Sequence, residues 1–363
     1  MSDQNNNYKI ALIGDSLSNG GAEKVHALLS IYFQNQGFDV YNCILIDDVT
    51  YSFSGNLLNL GTIHATSNSI TRKWFRFVAL QKFISTNKFD CVIDFRMRPS
   101  FFLEFILSRF VYPKHVFYTV HSAIFEFYFP KNAFLSQLIY KDRTIVCVSS
   151  AIQKEVEQTI YIRKVFTMHN PIDLDKIKNL CKDAISEINY ILAIGNMKND
   201  IKQIDKLIVA YSKSILPKHN IKLMVLGEGK FKKEYQKLVE DMNLQNLVVF
   251  KGTIQNPFPY YHNAKFSVLS SKNEGFPNAI IEALACETPV VAFDCFSGPR
   301  EIISNNHNGI LVENQNFEKL IEAMNLMIAD NVLYQNCKKN AVQSVQKFSI
   351  EKIGSQWLEL INP

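Results

Sequence analysis

The sequence predicts an α/β protein with two Rossmann-like domains, each built on a doubly wound parallel sheet. Short apolar runs rich in β-branched residues alternate with amphipathic stretches of helical length, which is the pattern of parallel strands covered by helices on both faces. The chain has 363 residues, more than one such sheet usually uses. A polar, proline-containing break divides the apolar runs into two series, so we expect two domains.

The apolar runs give the predicted strands in chain order. In the first series they are KIALIG, FDVYNCILI, CVIDF, HVFYTV and TIVCVS, and in the second YILAIG, IKLMVLG, NLVVFKG, KFSVLS and PVVAF. We place the linker near Asn170–Asp175, with domains at 1–171 and 172–347. The last stretch, 348–363, has Ile350, Ile353, Trp357 and Leu360 at helical spacing, and we expect this helix to pack back on the first domain.

Composition excludes several classes of protein. A net charge of +5 and a pI near 8.6 are too mild for a protein whose main partner is nucleic acid. The seven cysteines are scattered without a C-x-x-C pair, which indicates reduced thiols and no zinc site. The N-terminus lacks a basic start followed by an apolar core, and no apolar run is long enough to span a bilayer. We therefore expect a cytoplasmic protein.

The loop after the first predicted strand contains Gly20 and Gly21 directly before a helix. Such a loop can present backbone N–H groups and the positive end of the helix dipole to a phosphate, or it can be a tight turn that needs positive φ. Both interpretations remain open. A dinucleotide fingerprint would require G-x-G-x-x-G, and Gly14, Gly20 and Gly21 do not fit it, so an NAD-dependent oxidoreductase is a distant alternative.

The same loop contains GDSLS, which matches the start of the GDSL esterases. In that interpretation Ser16 would be a nucleophile that needs a histidine three positions after an aspartate. None of the eight histidines has an aspartate at that spacing, so we set the esterase aside.

Two glutamates stand out in SKNEGFPNAIIEALACETPVVAFD. Glu274 comes just past a predicted strand, where parallel sheets bind ligands, and Asn278 is a candidate cap for the next helix. Glu282 lies one turn into that helix among apolar residues, and burying its carboxylate costs several kcal/mol without donors such as ribose hydroxyls. The alternative is that both glutamates are solvated surface charges.

This stretch resembles the family 4 glycosyltransferases, which are retaining enzymes of the GT-B fold with two Rossmann-like domains facing a central cleft. Further motifs in family order are MVLGEG, VVFKG, SGPREII and NGILV, with weaker similarity in GGAEKV, TVHS and HNPID. The resemblance implies that Glu274 contacts the transferred sugar, Glu282 binds the nucleotide ribose and Lys202 neutralises the diphosphate. It also assigns sugar and diphosphate binding to Gly275, Phe276, Pro277, Asn278, Ala279 and Ile280.

Two further positions carry over with differences. His121 matches the histidine that approaches the donor sugar from the N-terminal domain, although a lone histidine in an α/β core can simply be structural. The family usually has Gly-Arg shortly before the diphosphate lysine, whereas this chain has Gly195-Asn196, so Asn196 or Lys198 would replace the arginine.

The resemblance implies transfer of a hexose or N-acetylhexosamine from a nucleotide sugar, with a UDP-sugar as the expected donor, to a surface glycan. It implies front-side displacement, with positioning and charge stabilisation supplied by the protein. We expect no metal or other cofactor, because the D-x-D letters at Asp173–Asp175 follow Pro171 in the linker. A non-catalytic nucleotide-sugar-binding protein is the alternative; sugar phosphorylases and sucrose-type synthases usually need longer chains.

Residues 71–114 hold nine basic and three acidic residues, which concentrates the positive charge. One predicted helix there places Trp74, Phe77, Val78 and Ile84 on one face, away from Arg72, Lys73 and Arg76. This favours an acceptor carried on a lipid diphosphate and peripheral contact with an anionic membrane. The alternative is an ordinary surface helix. Arg96 and Arg98 could meet acceptor phosphates or pair with Glu104.

Overall fold

The computed structural model describes residues 8–361. The chain divides into two compact α/β units. The first unit takes the chain as far as Pro171 and adds the terminal helix from Ile350, and the second comprises Ile172–Ser349. The pairings between the strands named below are all parallel. The α/β, doubly wound fold class predicted from the sequence is confirmed.

The first unit contains a seven-stranded sheet in the order β3-β2-β1-β4-β5-β6-β7. Its strand order reverses between β1 and β4, which pair directly. The strands are β1 (Lys9–Gly14), β2 (Asp39–Ile44), β3 (Asn56–Asn59), β4 (Cys91–Asp94), β5 (Val116–Val120), β6 (Thr144–Cys147) and β7 (Lys164–Thr167). Its helices include α1 (Gly21–Asn35), α2 (Ser69–Asn87), α3 (Phe101–Ile106), α4 (Ala133–Tyr140) and α5 (Ser150–Thr159), with a π-helical turn at Leu107–Val111 and a 3-10 turn at Phe125–Phe127.

The second unit contains a six-stranded sheet in the order β10-β9-β8-β11-β12-β13, which is the strand order of a Rossmann fold. The strands are β8 (Tyr190–Ile194), β9 (Lys222–Leu226), β10 (Val248–Gly252), β11 (Ser267–Leu269), β12 (Val290–Asp294) and β13 (Gly309–Glu313). The helices are α6 (Leu174–Leu180), α7 (Ile204–Lys213), α8 (Lys232–Asp241), α9 (Phe258–Asn263), α10 (Asn278–Ala285), α11 (Pro299–Ile302), α12 (Phe317–Ala329) and α13 (Asn331–Val345), with 3-10 turns at Pro217–His219 and Gln346–Phe348.

Three strands were absent from the sequence prediction: β3, β7 and β13. All three lie at the edge of a sheet, where one side of the strand has no neighbour. β3 is half-buried to exposed along its length, and β7 alternates between exposed and half-buried positions. An edge strand does not need a continuous apolar run, which accounts for β3 and β7, whereas β13 is mostly buried along its length.

The terminal helix α14 (Ile350–Ile361) packs on the core of the first unit through one apolar face. Trp357 meets Phe117 edge to face with ring centroids 6.2 Å apart. The helix begins at Ile350 rather than at the expected 348. Phe348 instead belongs to a 3-10 turn of the second unit and packs against Phe276 with centroids 5.1 Å apart.

Among the helices of residues 8–361, none combines the length and the apolar character required to cross a bilayer.

Candidate active site

Lys202 and Glu274 meet in the second unit although they lie 72 positions apart in the chain. Lys202 follows β8 and Glu274 follows β11, the two strands between which the strand order reverses. Lys202 Nζ lies 2.5 Å from Glu274 Oε1, and the two side chains are 20% and 12% exposed. Ligands of doubly wound sheets bind at the carboxyl ends of the strands at this reversal. The structure therefore joins two of the predicted site residues where a ligand is expected.

The loop that carries Lys202 is bonded to the loop that carries Glu274. The N–H of Lys272 donates to the carbonyl of Ile201 at 2.8 Å, and Ser270 Oγ donates to the carbonyl of Lys202 at 2.8 Å. An ion pair between Lys272 and Asp200 adds a third link. These contacts connect the backbone segments that carry Lys202 and Glu274. The two side chains are therefore held close to each other by the loops.

Gly195 gives the Lys202 side chain its path. A Cβ added at Gly195 would lie 2.9 Å from Cγ of Lys202 and 3.2 Å from its Cε. The aliphatic stem therefore lies directly over the glycine, and a larger residue would have to displace it. This gives a local physical reason for a glycine at the end of β8.

The turn from Gly275 to Pro277 is held from the other side by the loop after β12. Ser297 Oγ donates to the Gly275 carbonyl at 2.6 Å. Gly298 has φ of +93°, a left-handed conformation, and a Cβ there would lie 2.4 Å from Cδ of Pro277. Ser297 and Gly298 belong to the SGPREII motif, for which the sequence alone predicted no role. Their packing indicates that the motif supports the Gly275–Pro277 turn.

The start of α10 differs from the prediction at one residue. The cap position is Pro277 and Asn278 is the first helical residue, so the predicted cap at Asn278 is wrong. The N–H of Ile280 donates to the Pro277 carbonyl at 3.0 Å within this turn. The binding assignments from Gly275 to Ile280 stay predictions.

Glu282 is buried on the inner side of α10 at 8% exposure. Tyr261, on α9, donates its hydroxyl to Glu282 Oε2 at 3.3 Å. Burial, followed by the Glu282 charge, raises the pKa of Tyr261 well above its ordinary value. The alternative of Glu282 on the solvent face is therefore ruled out. No pattern in the sequence singled out Tyr261, because the two residues meet through helix packing.

Asn196 and Lys198 are both exposed on the loop after β8. The Lys198 N–H is 3.4 Å from Asn196 Oδ1, a long contact within the loop. Their assignment in place of an arginine stays a prediction.

His121 follows β5 in the first unit, and both of its ring nitrogens are buried. No group within residues 8–361 hydrogen-bonds either nitrogen. Burial, followed by the charge of Arg98, lowers the pKa of His121 to about 3, so the ring is neutral at physiological pH. The His121 ring packs near the Phe95 ring, and Phe95 also stacks on the buried ring of His26. This environment is not that of a structural histidine whose ring nitrogens are hydrogen-bonded in the core.

Arg96 and Arg98 are both buried, which decides between the two alternatives that the sequence left open. Arg96 pairs with Asp94 at 2.6 Å and with Glu104 at 3.0 Å, all three being nearly inaccessible. Arg98 donates to the carbonyl oxygens of Arg96 and Thr119 at 3.0 and 2.8 Å. Of the two alternatives, the pairing of Arg96 with Glu104 is the one found.

Gly20 and Gly21 lie at the start of α1, as its cap residue and its first helical residue. Gly20 has φ of −135°, and the residue with positive φ in this loop is Asn19 at 54°. A Cβ at Gly20 would lie 1.8 Å from Glu23 Oε2, so the Glu23 carboxylate lies against the helix start. An approaching phosphate would meet that negative charge. Phosphate binding at Gly20 and Gly21 stays a prediction.

Two motifs set aside on sequence grounds have structural roles. Ser16 Oγ donates to the Ser18 carbonyl at 3.3 Å. Asp173 caps α6 by accepting from the Lys176 N–H at 2.9 Å. Residues 8–361 contain no group of three His, Cys, Asp or Glu side chains arranged to hold a metal ion.

Comparison with known proteins identifies the family. The model described as "Glycosyl transferases group 1" matches residues 181–344, and the model described as "Glycosyltransferase Family 4" matches residues 19–176. Each match covers most of one structural unit. The chain belongs to the family 4 glycosyltransferases. Its two parallel-sheet units form the GT-B fold of this family.

Several relatives of this glycosyltransferase are bacterial proteins. A Campylobacter jejuni protein named N-acetylgalactosamine-N,N'-diacetylbacillosaminyl-diphospho-undecaprenol 4-alpha-N-acetylgalactosaminyltransferase is 27% identical over 97% of this chain and 99% of its own. The crystal structure of Anabaena HepE with UDP has a TM-score of 0.76 at 17% identity, covering 97% and 99% of the two chains. That of a Staphylococcus aureus TarM mutant with Fondaparinux, alpha-GlcNAc-glycerol and UDP has a TM-score of 0.66 at 23% identity, covering 79% of this chain and 59% of TarM.

The low pKa of His121 predicts a pH-dependent stability. The pKa rises from about 3 in the folded state to 6.5 in the unfolded state, so the unfolded state binds more protons below pH 6.5. Stability should fall as the pH drops below about 6.5, by up to about 1.4 kcal/mol per pH unit for this one group. His121→Gln should reduce the slope of the unfolding free energy against pH by that amount.

The measurement is urea unfolding between pH 7.5 and 5, roughly the range that brackets the unfolded-state pKa. Trp74 and Trp357 are the two tryptophans of the sequence and both belong to the first unit, so their fluorescence follows its unfolding. His115→Gln, at an exposed histidine of the same unit, is the control. Equal pH dependence in wild type and His121→Gln would show that His121 titrates normally.

Proposed function

We propose that this glycosyltransferase is a retaining enzyme that moves a hexose or N-acetylhexosamine from a UDP-sugar to a glycan acceptor. The observation that carries the proposal is the Lys202–Glu274 pair at the strand-order reversal of the second unit. A cation and a carboxylate held side by side suit a ligand that has a diphosphate next to a sugar with hydroxyl groups. UDP is supported by its presence in the HepE and TarM crystals.

The proposed chemistry is front-side displacement. Lys202 stabilises the negative charge that develops on the leaving diphosphate, and Glu274 accepts hydrogen bonds from sugar hydroxyls and orients the ring. The leaving phosphate takes the proton of the acceptor hydroxyl as the new glycosidic bond forms on the same face. We propose that Lys202 supplies the positive charge here without a divalent metal ion, so that activity persists in excess EDTA.

The family resemblance assigns two further residues, Glu282 of the second unit and His121 of the first, to donor binding. Glu282 would accept hydrogen bonds from the ribose hydroxyls, for which a buried carboxylate is suited because it is poorly hydrated. His121 would approach the donor sugar as a neutral imidazole, able to donate from one nitrogen and accept at the other. Its two buried, unbonded ring nitrogens support this role.

The alternative is a nucleotide-sugar-binding protein of the same fold without catalysis. The arrangement of Lys202 and Glu274 is equally suited to binding a donor without transfer. An activity measurement therefore has to distinguish the enzyme from the binding protein. An NAD-dependent oxidoreductase is a more distant alternative, since Gly14, Gly20 and Gly21 lack the dinucleotide spacing.

Glu274→Ala separates the enzyme from the binding protein. Wild type should release UDP from UDP-sugars in the presence of acceptor, and the variant should lose transfer by about 100-fold or more because the sugar is no longer oriented. The measurement is UDP release together with calorimetric UDP binding. Glu240→Ala, at an exposed acid on α8, is the control. UDP-sugar binding without turnover in wild type would favour the binding protein.

Glu282→Ala tests the ribose contact. UDP affinity should weaken by about 1 to 3 kcal/mol because hydroxyl donors lose a charged acceptor. Tyr261→Phe removes the same internal hydrogen bond and keeps the carboxylate, so it controls for effects on packing. Calorimetric titration should show a loss for Glu282→Ala and near wild-type affinity for Tyr261→Phe. Equal losses would assign Glu282 a structural role.

We also propose that the acceptor is carried on a lipid diphosphate and that the first unit contacts an anionic membrane on the cytoplasmic side. The name of the Campylobacter relative, which contains diphospho-undecaprenol, supports the class of acceptor. The membrane contact rests on an apolar surface of α2, α3, α4 and the π-helical turn. Its most exposed members are Ile70 (83%), Phe102 (78%), Phe110 (75%), Phe134 (70%) and Trp74 (63%).

The elements that form this surface are neighbours within the first unit. The π-helical turn packs against α2 and α4, and α3 packs against α4. The exposed bases Lys73, Lys82 and Arg109 lie on the same elements. Large apolar groups beside lysine and arginine suit a bilayer interface with anionic head groups.

The structure changes the membrane face that the sequence predicted. Ile84 is buried against the unit instead of sharing an exposed face with Trp74 and Val78. Arg76 donates to the Gly61 carbonyl at 2.7 Å, so its guanidinium group is hydrogen-bonded within the unit. The proposal therefore depends on Trp74 and its exposed neighbours and on the free lysines.

Vesicle sedimentation tests the membrane proposal. Wild type should sediment with vesicles of equimolar phosphatidylglycerol and phosphatidylcholine and remain in solution with phosphatidylcholine alone. The double variant Trp74→Ser, Phe110→Ser should lose most of this binding, because both rings would insert at the interface. Ile188→Ser, which removes a 78% exposed apolar side chain from the second unit, is the matched control. Equal sedimentation of all three proteins would contradict the proposal.

A further inference from the structure

Two cysteines that are 105 positions apart in the chain touch in the second unit. Cys181 follows α6, Cys286 follows α10, and their Sγ atoms are 3.2 Å apart. This distance is shorter than an ordinary non-bonded contact between two sulfur atoms, and neither cysteine forms a disulfide in the structure. The packing of α6 against α10 produces the contact, which is why no Cys-x-x-Cys spacing indicates it.

The two thiols differ in accessibility. Cys181 is partly exposed, whereas Cys286 is 1% exposed and lies directly behind it. The hydrogen bond with Cys286 lowers the pKa of Cys181 below its ordinary value, which increases the reactive thiolate fraction. Burial has the opposite effect on the other five thiols, raising the pKa of Cys337 to about 11, of Cys43 and Cys295 to about 12, and also those of Cys91 and Cys147.

We propose that Cys181 and Cys286 are a thiol–disulfide modification site, in which the Cys181 thiolate first attacks a disulfide oxidant and Cys286 then resolves the mixed disulfide. With oxidised glutathione, the Cys181 thiolate attacks one sulfur and releases one glutathione. Cys286 then loses its proton, attacks Cys181 Sγ and releases the second glutathione. Two protein thiols are oxidised to one disulfide, and one glutathione disulfide is reduced to two thiols.

Formation of the bond requires the two Sγ atoms to approach by about 1 Å, since a disulfide is about 2.05 Å long. The link would join α6, the first helix of the second unit, to α10, the helix that carries Glu282. It would close a long loop of the chain, and such links stabilise mainly by restricting the unfolded state. Oxidation should therefore raise the melting temperature of the second unit.

The test uses the purified full-length chain incubated with oxidised glutathione and then alkylated under denaturing conditions. Peptide mapping should give one cross-linked species that joins the Cys181 and Cys286 peptides, and reduction with dithiothreitol should reverse it. Cys337→Ser removes a buried thiol of the same unit and should leave the cross-link unchanged. Cys286→Ser should stop the reaction at a mixed disulfide of glutathione on Cys181.

Several outcomes would overturn the proposal. A stable glutathione adduct on Cys181 in wild type would show that Cys286 does not resolve it, and unmodified thiols would show that Cys181 is unreactive. Direct detection of the cross-linked peptide in wild type does not depend on the folding of any variant. The melting temperature provides the second readout: wild type should shift upward with oxidant, and Cys181→Ser should not.

Discussion

The candidate active site depends on the pairing of Lys202 with Glu274. Each side chain is largely withdrawn from water, and either charge alone in that position would carry a desolvation cost of several kcal/mol. Together they compensate each other, and the hydrogen bonds from Lys272 and Ser270 hold the two loops in register. The pair exists because β8 and β11, which are far apart in sequence, are neighbours in the sheet. The strand-order reversal thus brings the two charges together at the edge of the sheet where doubly wound folds bind their ligands.

The first unit has the same kind of reversal between β1 and β4 and uses it differently. At the end of β4 the charged side chains are paired with one another inside the unit. Arg96 forms ion pairs with Asp94 and Glu104 away from water. Such a network fixes the loop and leaves no charge for a ligand. In the second unit the pair retains 20% and 12% exposure, which leaves it accessible. Two similar sheets therefore present a closed ion network in one unit and an accessible ion pair in the other.

The interior strands and their parallel arrangement were predictable because strands buried on both faces require continuous apolar runs. The edge strands β3 and β7 were not, since half of their backbone groups and one face can remain in water. Among the site residues, the family resemblance predicted roles for Glu274, Glu282 and Lys202, and the structure places Lys202 beside Glu274 and buries Glu282. The resemblance did not indicate that Arg96 is neutralised, nor that Glu23 lies against Gly20, because a side chain's partner is set by packing.

The sequence by itself determined the division into two α/β units, the fold class and the family, because these depend on periodicity and on a motif of adjacent residues. The tertiary structure decided which charges are paired and which thiols touch. Lys202 and Glu274, Tyr261 and Glu282, and Cys181 and Cys286 each meet across separate elements. The physical reason is that contacts between elements depend on strand order and helix packing, whereas a linear pattern reports only the environment of its own segment.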